Sequence, residues 1–166
     1  DYLTSPEAVK DKIALVYISI LPDSDPDLNN LHRSEKTALA IQHGAKGVII
    51  INQVAGGVLL TGTASVTGEM LDIPAVCIGK EDGFALKEKL KVQEVTASIE
   101  MTNNSDLINA RNVVATLRGS TLPDEIIVLG GHLDSWDLAT GAIDNGIGSF
   151  AVLDIARAFM ANGLQP

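Results

Sequence analysis

Cysteine is almost absent from this chain of 166 residues: Cys77 stands alone. No internal disulfide can form, so cysteine usage leaves the redox compartment open. Its setting, Ile73-Pro74-Ala75-Val76-Cys77-Ile78, reads as a buried strand, which makes the thiol structural rather than reactive. Basic residues are scarce: 12 Lys and Arg stand against 21 Asp and Glu, a net charge of -9. Nucleic acid and anionic membranes both require a basic face, so neither is expected as a partner. No stretch reaches the ~20 apolar residues of a membrane-spanning helix. An initiator Met is missing too. The chain opens at Asp1-Tyr2-Leu3 and reads as a processed or excised piece, so the lack of a leader says nothing about targeting.

What remains is ample for a folded core. Apolar residues make up 46% and charged residues 20%, which excludes disorder and suits one ordinary domain, or one small domain and part of another. Ser5-Pro6-Glu7 looks like a helix start. Lys12–Leu21 is a strand with two apolar faces, expected at a sheet centre. The loop to Leu31 carries Asp23, Asp25 and Asp27, but Leu28 and Ser34 occupy the positions where a calcium loop needs Gly and Glu, so it reads as a solvated acidic loop. A helix over Ser34–His43, stopped by Gly44, and a strand over Lys46–Asn52 complete a strand–helix–strand crossover.

The glycine-rich stretch Val54–Met70 predicts turns and a hairpin, with a short strand at Val58–Thr61. A strand over Ile73–Gly79 and an amphipathic helix over Lys80–Leu90 follow. Alternation predicts a half-buried strand over Glu94–Thr102. The polar Asn103-Asn104-Ser105-Asp106 is the natural boundary between residues 1–104 and 105–166, and contains a glycosylation sequon. Beyond it, strands are expected at Ala110–Arg118 and Glu125–Gly130, and a helix from Gly146 to about Asn162.

The chemistry concentrates after the second of these strands, in Gly130-Gly131-His132-Leu133-Asp134 and Ala142-Ile143-Asp144-Asn145-Gly146. Residues two apart on a strand share a face, so His132 and Asp134 project together from the end where α/β sheets bind ligands. His and Asp are zinc donors, and an Asp beside a His can orient its ring. Asp144 arrives at a helix entrance, which favours a carboxylate. On spacing alone, a strand-end histidine that caps a loop accounts for the pattern equally well.

Two longer texts resemble known families. Residues 1 to about 100 resemble a protease-associated domain, through Ala38-Leu39-Ala40-Ile41-Gln42-His43-Gly44-Ala45-Lys46-Gly47-Val48-Ile49-Ile50 and Asp72-Ile73-Pro74-Ala75-Val76-Cys77-Ile78. Residues 106–166 resemble the co-catalytic two-zinc exopeptidases, bacterial aminopeptidases and glutamate-carboxypeptidase-like enzymes, through Asn112-Val113-Val114-Ala115, Gly130-Gly131-His132-Leu133-Asp134-Ser135 and Gly141-Ala142-Ile143-Asp144-Asn145-Gly146-Ile147-Gly148. Ser135-Trp136-Asp137 is closest to the plasma glutamate carboxypeptidase branch.

The resemblance implies an α/β fold: a small protease-associated domain followed by an incomplete segment of a three-layer α/β/α peptidase domain. It implies zinc as cofactor, two ions in the complete enzyme. His132 would bind one ion, Asp144 would bridge both through a cis Asp144–Asn145 peptide, and Asp134 would orient the imidazole as a catalytic residue. A peptide is the implied substrate, hydrolysed at one chain end by two-metal activation of water, outside the cell or in the periplasm.

The family pattern also needs a general-base Glu beside a ligand Glu, then a further Asp and a second His. Those come after the helix, on later strands, and the chain stops at Pro166; His32 and His43 precede the motif. The expectation is therefore a piece of a longer enzyme, poor at binding zinc and inactive alone. Its unfinished sheet would leave residues 106–166 poorly protected or paired between chains, so a homo-oligomer stays open. The competing reading is a non-catalytic protease-associated module that binds a peptide or protein partner.

Overall fold

A computed structural model describes residues 5–22, 24, 25 and 27–166; Asp23 and Pro26 of the acidic loop lie outside them. The chain divides into two compact units, Asp1–Asp106 and Leu107–Pro166.

The first unit is an α/β layer structure. Strands β1 (Ile13–Tyr17), β2 (Gly47–Ile51) and β3 (Ala75–Ile78) form a parallel sheet in the order β1-β2-β3, with Leu15 opposite Ile49 and Ile49 opposite Val76. Helix α1 (Arg33–Gln42) connects β1 to β2, and α2 (Lys80–Leu90) follows β3. Side chains alternate along β2. Val48 and Ile50 join Ala14 and Ala40 in the buried core on the α1 side. Ile51 points the other way, where α2 rests on it through Gly83, so the helices cover opposite faces. Tyr17, level with Ile51, packs edge-on against Phe84 of α2 at 5.3 Å between ring centroids.

The strand expected at the centre is an edge: β2 is central and β1 has one neighbour. Apolar residues on both faces of β1 report helices above and below it, not strands on either side. Ser5-Pro6 opens a series of turns rather than a helix, with Ala8 N–H donating to the Ser5 carbonyl. Helix α1 is capped by His32, whose ring accepts from the Ser34 N–H while the Glu35 carboxylate accepts from the His32 N–H. Cys77 is half-buried, its thiol directed at the Ile78 carbonyl.

The connection between β2 and β3 contains no strand at Val58–Thr61. Three side chains fasten it instead. Asn52 donates to the Val58 carbonyl at 2.8 Å, and Arg33 Nε donates to the Thr63 carbonyl at 2.9 Å. The Glu81 carboxylate accepts from Gly56 N–H at 2.8 Å and Gly57 N–H at 3.1 Å. Both glycines have positive φ, 95° and 68°, which turns their consecutive amides toward one anion.

The Gly56 amide, Glu81's own amide and the Gly57 amide hold the Glu81 pKa below its ordinary 4.5. A depressed carboxylate pKa means that this fastening is complete above the ordinary value and is lost as pH falls through the lower, folded-state value. The Gly56 and Gly57 amide resonances should therefore titrate together with a midpoint below 4.5, and Glu81→Gln should abolish the transition. A midpoint at or above the ordinary value would contradict the contact.

Residues 94–102, 110–118 and 125–130 form no strands, contrary to their alternation and apolar runs. An extended segment becomes a sheet strand only when a neighbour takes its backbone hydrogen bonds, and none of these has one among the described residues. Val113, Ile126, Ile127 and Val128 are all more than four-fifths exposed. The second unit ends in a π-type turn, Ala142–Ile147, and helix α3, Gly148–Ala161. No described helix is long and apolar enough to cross a membrane.

Candidate functional site

The residues His132, Asp134 and Asp144 come together in the second unit. His132 lies in an extended segment without strand partners, so the sheet end expected to present it is absent, yet the contact survives. His132 Nδ1 lies 3.0 Å from both the carbonyl oxygen and the Oδ1 of Asp134. A carbonyl only accepts, so Nδ1 carries a proton and donates to it. His132 Nε2 lies 3.1 Å from Asp144 Oδ1.

With the proton fixed on Nδ1, a neutral imidazole presents a lone pair at Nε2. A lone pair facing a carboxylate oxygen at this distance is unfavourable unless a proton or a cation lies between. The 3.1 Å spacing is close to the ligand-to-ligand distance of about 3.3 Å across tetrahedral zinc with bonds of about 2.0 Å. Nitrogen and carboxylate oxygen are both zinc donors, so the donor set fits half of such a site. Among the described residues no His, Cys, Asp and Glu side chains gather in a group of three that could hold a metal. Asp134 accordingly stands behind the ring and does not join a ligand set.

Desolvation pulls the His132 pKa down, but the Asp134 carbonyl, the Asp134 carboxylate and Asp144 outweigh it and hold the group above its ordinary 6.5. The neutral ring is the form that binds metal, so a proton on Nε2 would compete with any cation placed there.

The 142–147 turn aims Asp144. Within it Asp144 (φ −114°, ψ 91°) and Asn145 (φ −131°, ψ 35°) leave helical geometry, and their peptide bond is cis, as the resemblance implies. Two features had no signal in the sequence pattern. Asn145 Oδ1 is buried without a hydrogen-bond partner among the described residues. Ser149 Oγ, in the first turn of α3, donates to the His132 carbonyl at 2.9 Å across 17 residues. Gly131 permits the approach, since a Cβ there would lie 2.9 Å from the Ser149 nitrogen.

Comparison with known proteins gives two family matches: the PA domain over residues 1–86 and Peptidase family M28 over residues 112–166. Among curated proteins, the chain is 32% identical over 96 residues to Carboxypeptidase Q of Mus musculus, covering 57% of this chain and 20% of that protein. It is 32% identical over 150 residues to Aminopeptidase YwaD of Bacillus subtilis, 89% of this chain and 29% of the relative. It is 27% identical over 162 residues to Probable leucine aminopeptidase 2 of Aspergillus fumigatus, 93% and 32%. The chain thus spans about a fifth to a third of the length of these relatives. No solved structure gives a significant match.

Proposed function

We propose that this chain, which belongs to the PA domain family and continues into a segment of peptidase family M28, is part of a zinc metallo-exopeptidase that removes residues from one end of a peptide. The observation that carries the proposal is the His132 Nε2–Asp144 Oδ1 pair, two cation donors turned toward each other at 3.1 Å. The relatives, aminopeptidases and a carboxypeptidase by name, support the reaction class and leave open which peptide end is attacked.

In this reading His132 offers Nε2 to one ion, and Asp134 keeps the proton on Nδ1 so that the lone pair faces the site. Asp144, with two carboxylate oxygens, is the donor able to span two ions. Bound zinc supplies Lewis-acid polarisation of the scissile carbonyl and acidification of a water molecule. The remaining donors and the general base belong to other parts of the longer protein; residues 1–104 form a protease-associated module and residues from 105 the peptidase segment. Extracellular or periplasmic placement is supported by the family resemblance.

Zinc titration by calorimetry tests the assignment. Four-donor sites bind with about 10–16 kcal/mol, and two donors support about half of that, a Kd between about 1 µM and about 0.2 mM. The wild-type chain should bind in this weak range, less well as pH falls, and the variant carrying both His132→Ala and Asp144→Ala should not bind measurably. Equal binding by the two proteins would overturn the donor assignment. Nanomolar binding by wild type would overturn the division of the site between this chain and the rest of the protein.

A further inference from the structure

We infer that Ser149 is a positioning residue for the metal site: its hydroxyl locks the His132 backbone to helix α3 and so keeps the His132 imidazole on the Asp144 carboxylate. This rests on the reading of His132 and Asp144 as metal donors. The two donors come from different segments. His132 belongs to an extended run with no strand neighbour, and Ile126, Ile127 and Val128 just before it are solvent-exposed. Asp144 belongs to the turn that runs straight into α3. The His132 ring and Asp134 pair within one segment, which fixes the tautomer and cannot set the distance to Asp144.

Two polar contacts of His132 reach the segment of Asp144 and α3. One is the His132 Nε2–Asp144 Oδ1 approach itself, and the other is the 2.9 Å bond from Ser149 Oγ to the His132 carbonyl. When a cation enters between Nε2 and Oδ1, the direct contact is replaced, and the Ser149 bond to the His132 main chain remains to hold the segments in register. Its geometry is secured from both sides. Ser149 sits in the first turn of a helix of 14 residues, and Gly131 has no Cβ to push the Ser149 backbone away. The hydroxyl does not coordinate; it acts through the His132 main chain. Groups that orient a ligand in this way typically contribute 10–100-fold to metal affinity.

The test compares wild type, Ser149→Ala and Ser149→Thr in the whole chain, with zinc chloride titrated against the His132 ring resonances and the His132 carbonyl carbon observed before metal is added. Ser149→Ala should shift the carbonyl resonance and weaken the zinc Kd by about tenfold. Ser149→Thr keeps the hydroxyl and should restore both. Helix content should stay the same in all three, since the bond lies outside the α3 ladder, so a merely structural role would not produce this pattern. Equal zinc affinity in wild type and Ser149→Ala overturns this inference alone. A wild-type ring that ignores zinc overturns the donor reading, and this inference with it.

Discussion

Gly83→Val should lower the melting temperature of the first unit by about 12–24 °C or more, and Gly83→Ala should lower it by up to about 15 °C. Gly83 is the buried residue of α2, at the end of its first turn and on the side that meets β2. A Cβ at this position would lie 2.9 Å from the Ile51 Cβ and nearer still to the Ile51 Cγ1 and Cγ2 atoms. Ile51 cannot give way, because it is 2% exposed on the central strand of the sheet. Overpacking of this kind costs about 1–3 kcal/mol, against which the better helix propensity of alanine returns about 1 kcal/mol.

Valine gains little propensity and adds two methyl groups to the same gap, which places its cost above about 3 kcal/mol, beyond the usual range of single substitutions. In a unit of this size each kcal/mol moves the midpoint by about 4–8 °C. Ala85→Val, on the exposed face of the same helix, is the control and should cost about 0.5 kcal/mol. Thermal melts followed by circular dichroism decide the matter. If Gly83→Val melts within a few degrees of Ala85→Val, helix α2 is not seated on β2 through Gly83.

The first unit was largely legible in the sequence because its elements satisfy themselves. The α2 range follows from the spacing of Phe84, Leu86 and Leu90, and β2 from the run Val48-Ile49-Ile50-Ile51, since each finds its packing partner within a few tens of residues. What misled there were the inference from faces to edges at β1, the helix start read at Ser5-Pro6, and the strands read at 58–61 and 94–102, which are not strands here. Helix α1 starts at Arg33, one residue before the expected Ser34, and its cap is His32; an imidazole nitrogen accepts the amide hydrogen bond that a serine usually takes.

In the second unit the sequence pattern located His132, Asp134 and Asp144, because separations of two residues and one short loop are local geometry. The pattern at 110–118 and 125–130 was also that of strands, but pairing is a non-local property, and no local signal reports whether a neighbour is present. The Ser149 bond, 17 residues from its partner, was illegible for the same reason.

That contrast yields the last expected result, a large difference in amide hydrogen exchange between the units. Exchange protection follows from hydrogen bonds that must break before water can reach the amide. The amides of Val48 and Asn52 donate to the carbonyls of Pro74 and Ile78, beneath side chains that are 0% and 2% exposed. They open only when the sheet does. An opening free energy of even about 4 kcal/mol slows exchange about a thousandfold. The amides of Val113, Val114, Ile126, Ile127 and Val128 have no strand partner, and their side chains lie more than four-fifths exposed. They should exchange at nearly the rate of an unfolded peptide.

Helix α3 should fall between these limits. Its own hydrogen bonds protect it, but no residue along its 14 is buried, so it lacks the packing that supplies most helical stability in proteins. If residues 113–129 are instead as protected as β2, the concentration dependence of exchange separates two causes. Protection that vanishes on dilution means that these apolar runs pair between copies of the chain, as an unfinished sheet with open edges would. Equal protection in a dilute monomer would mean that the second unit builds its own sheet, and the division of the peptidase domain proposed above would be wrong.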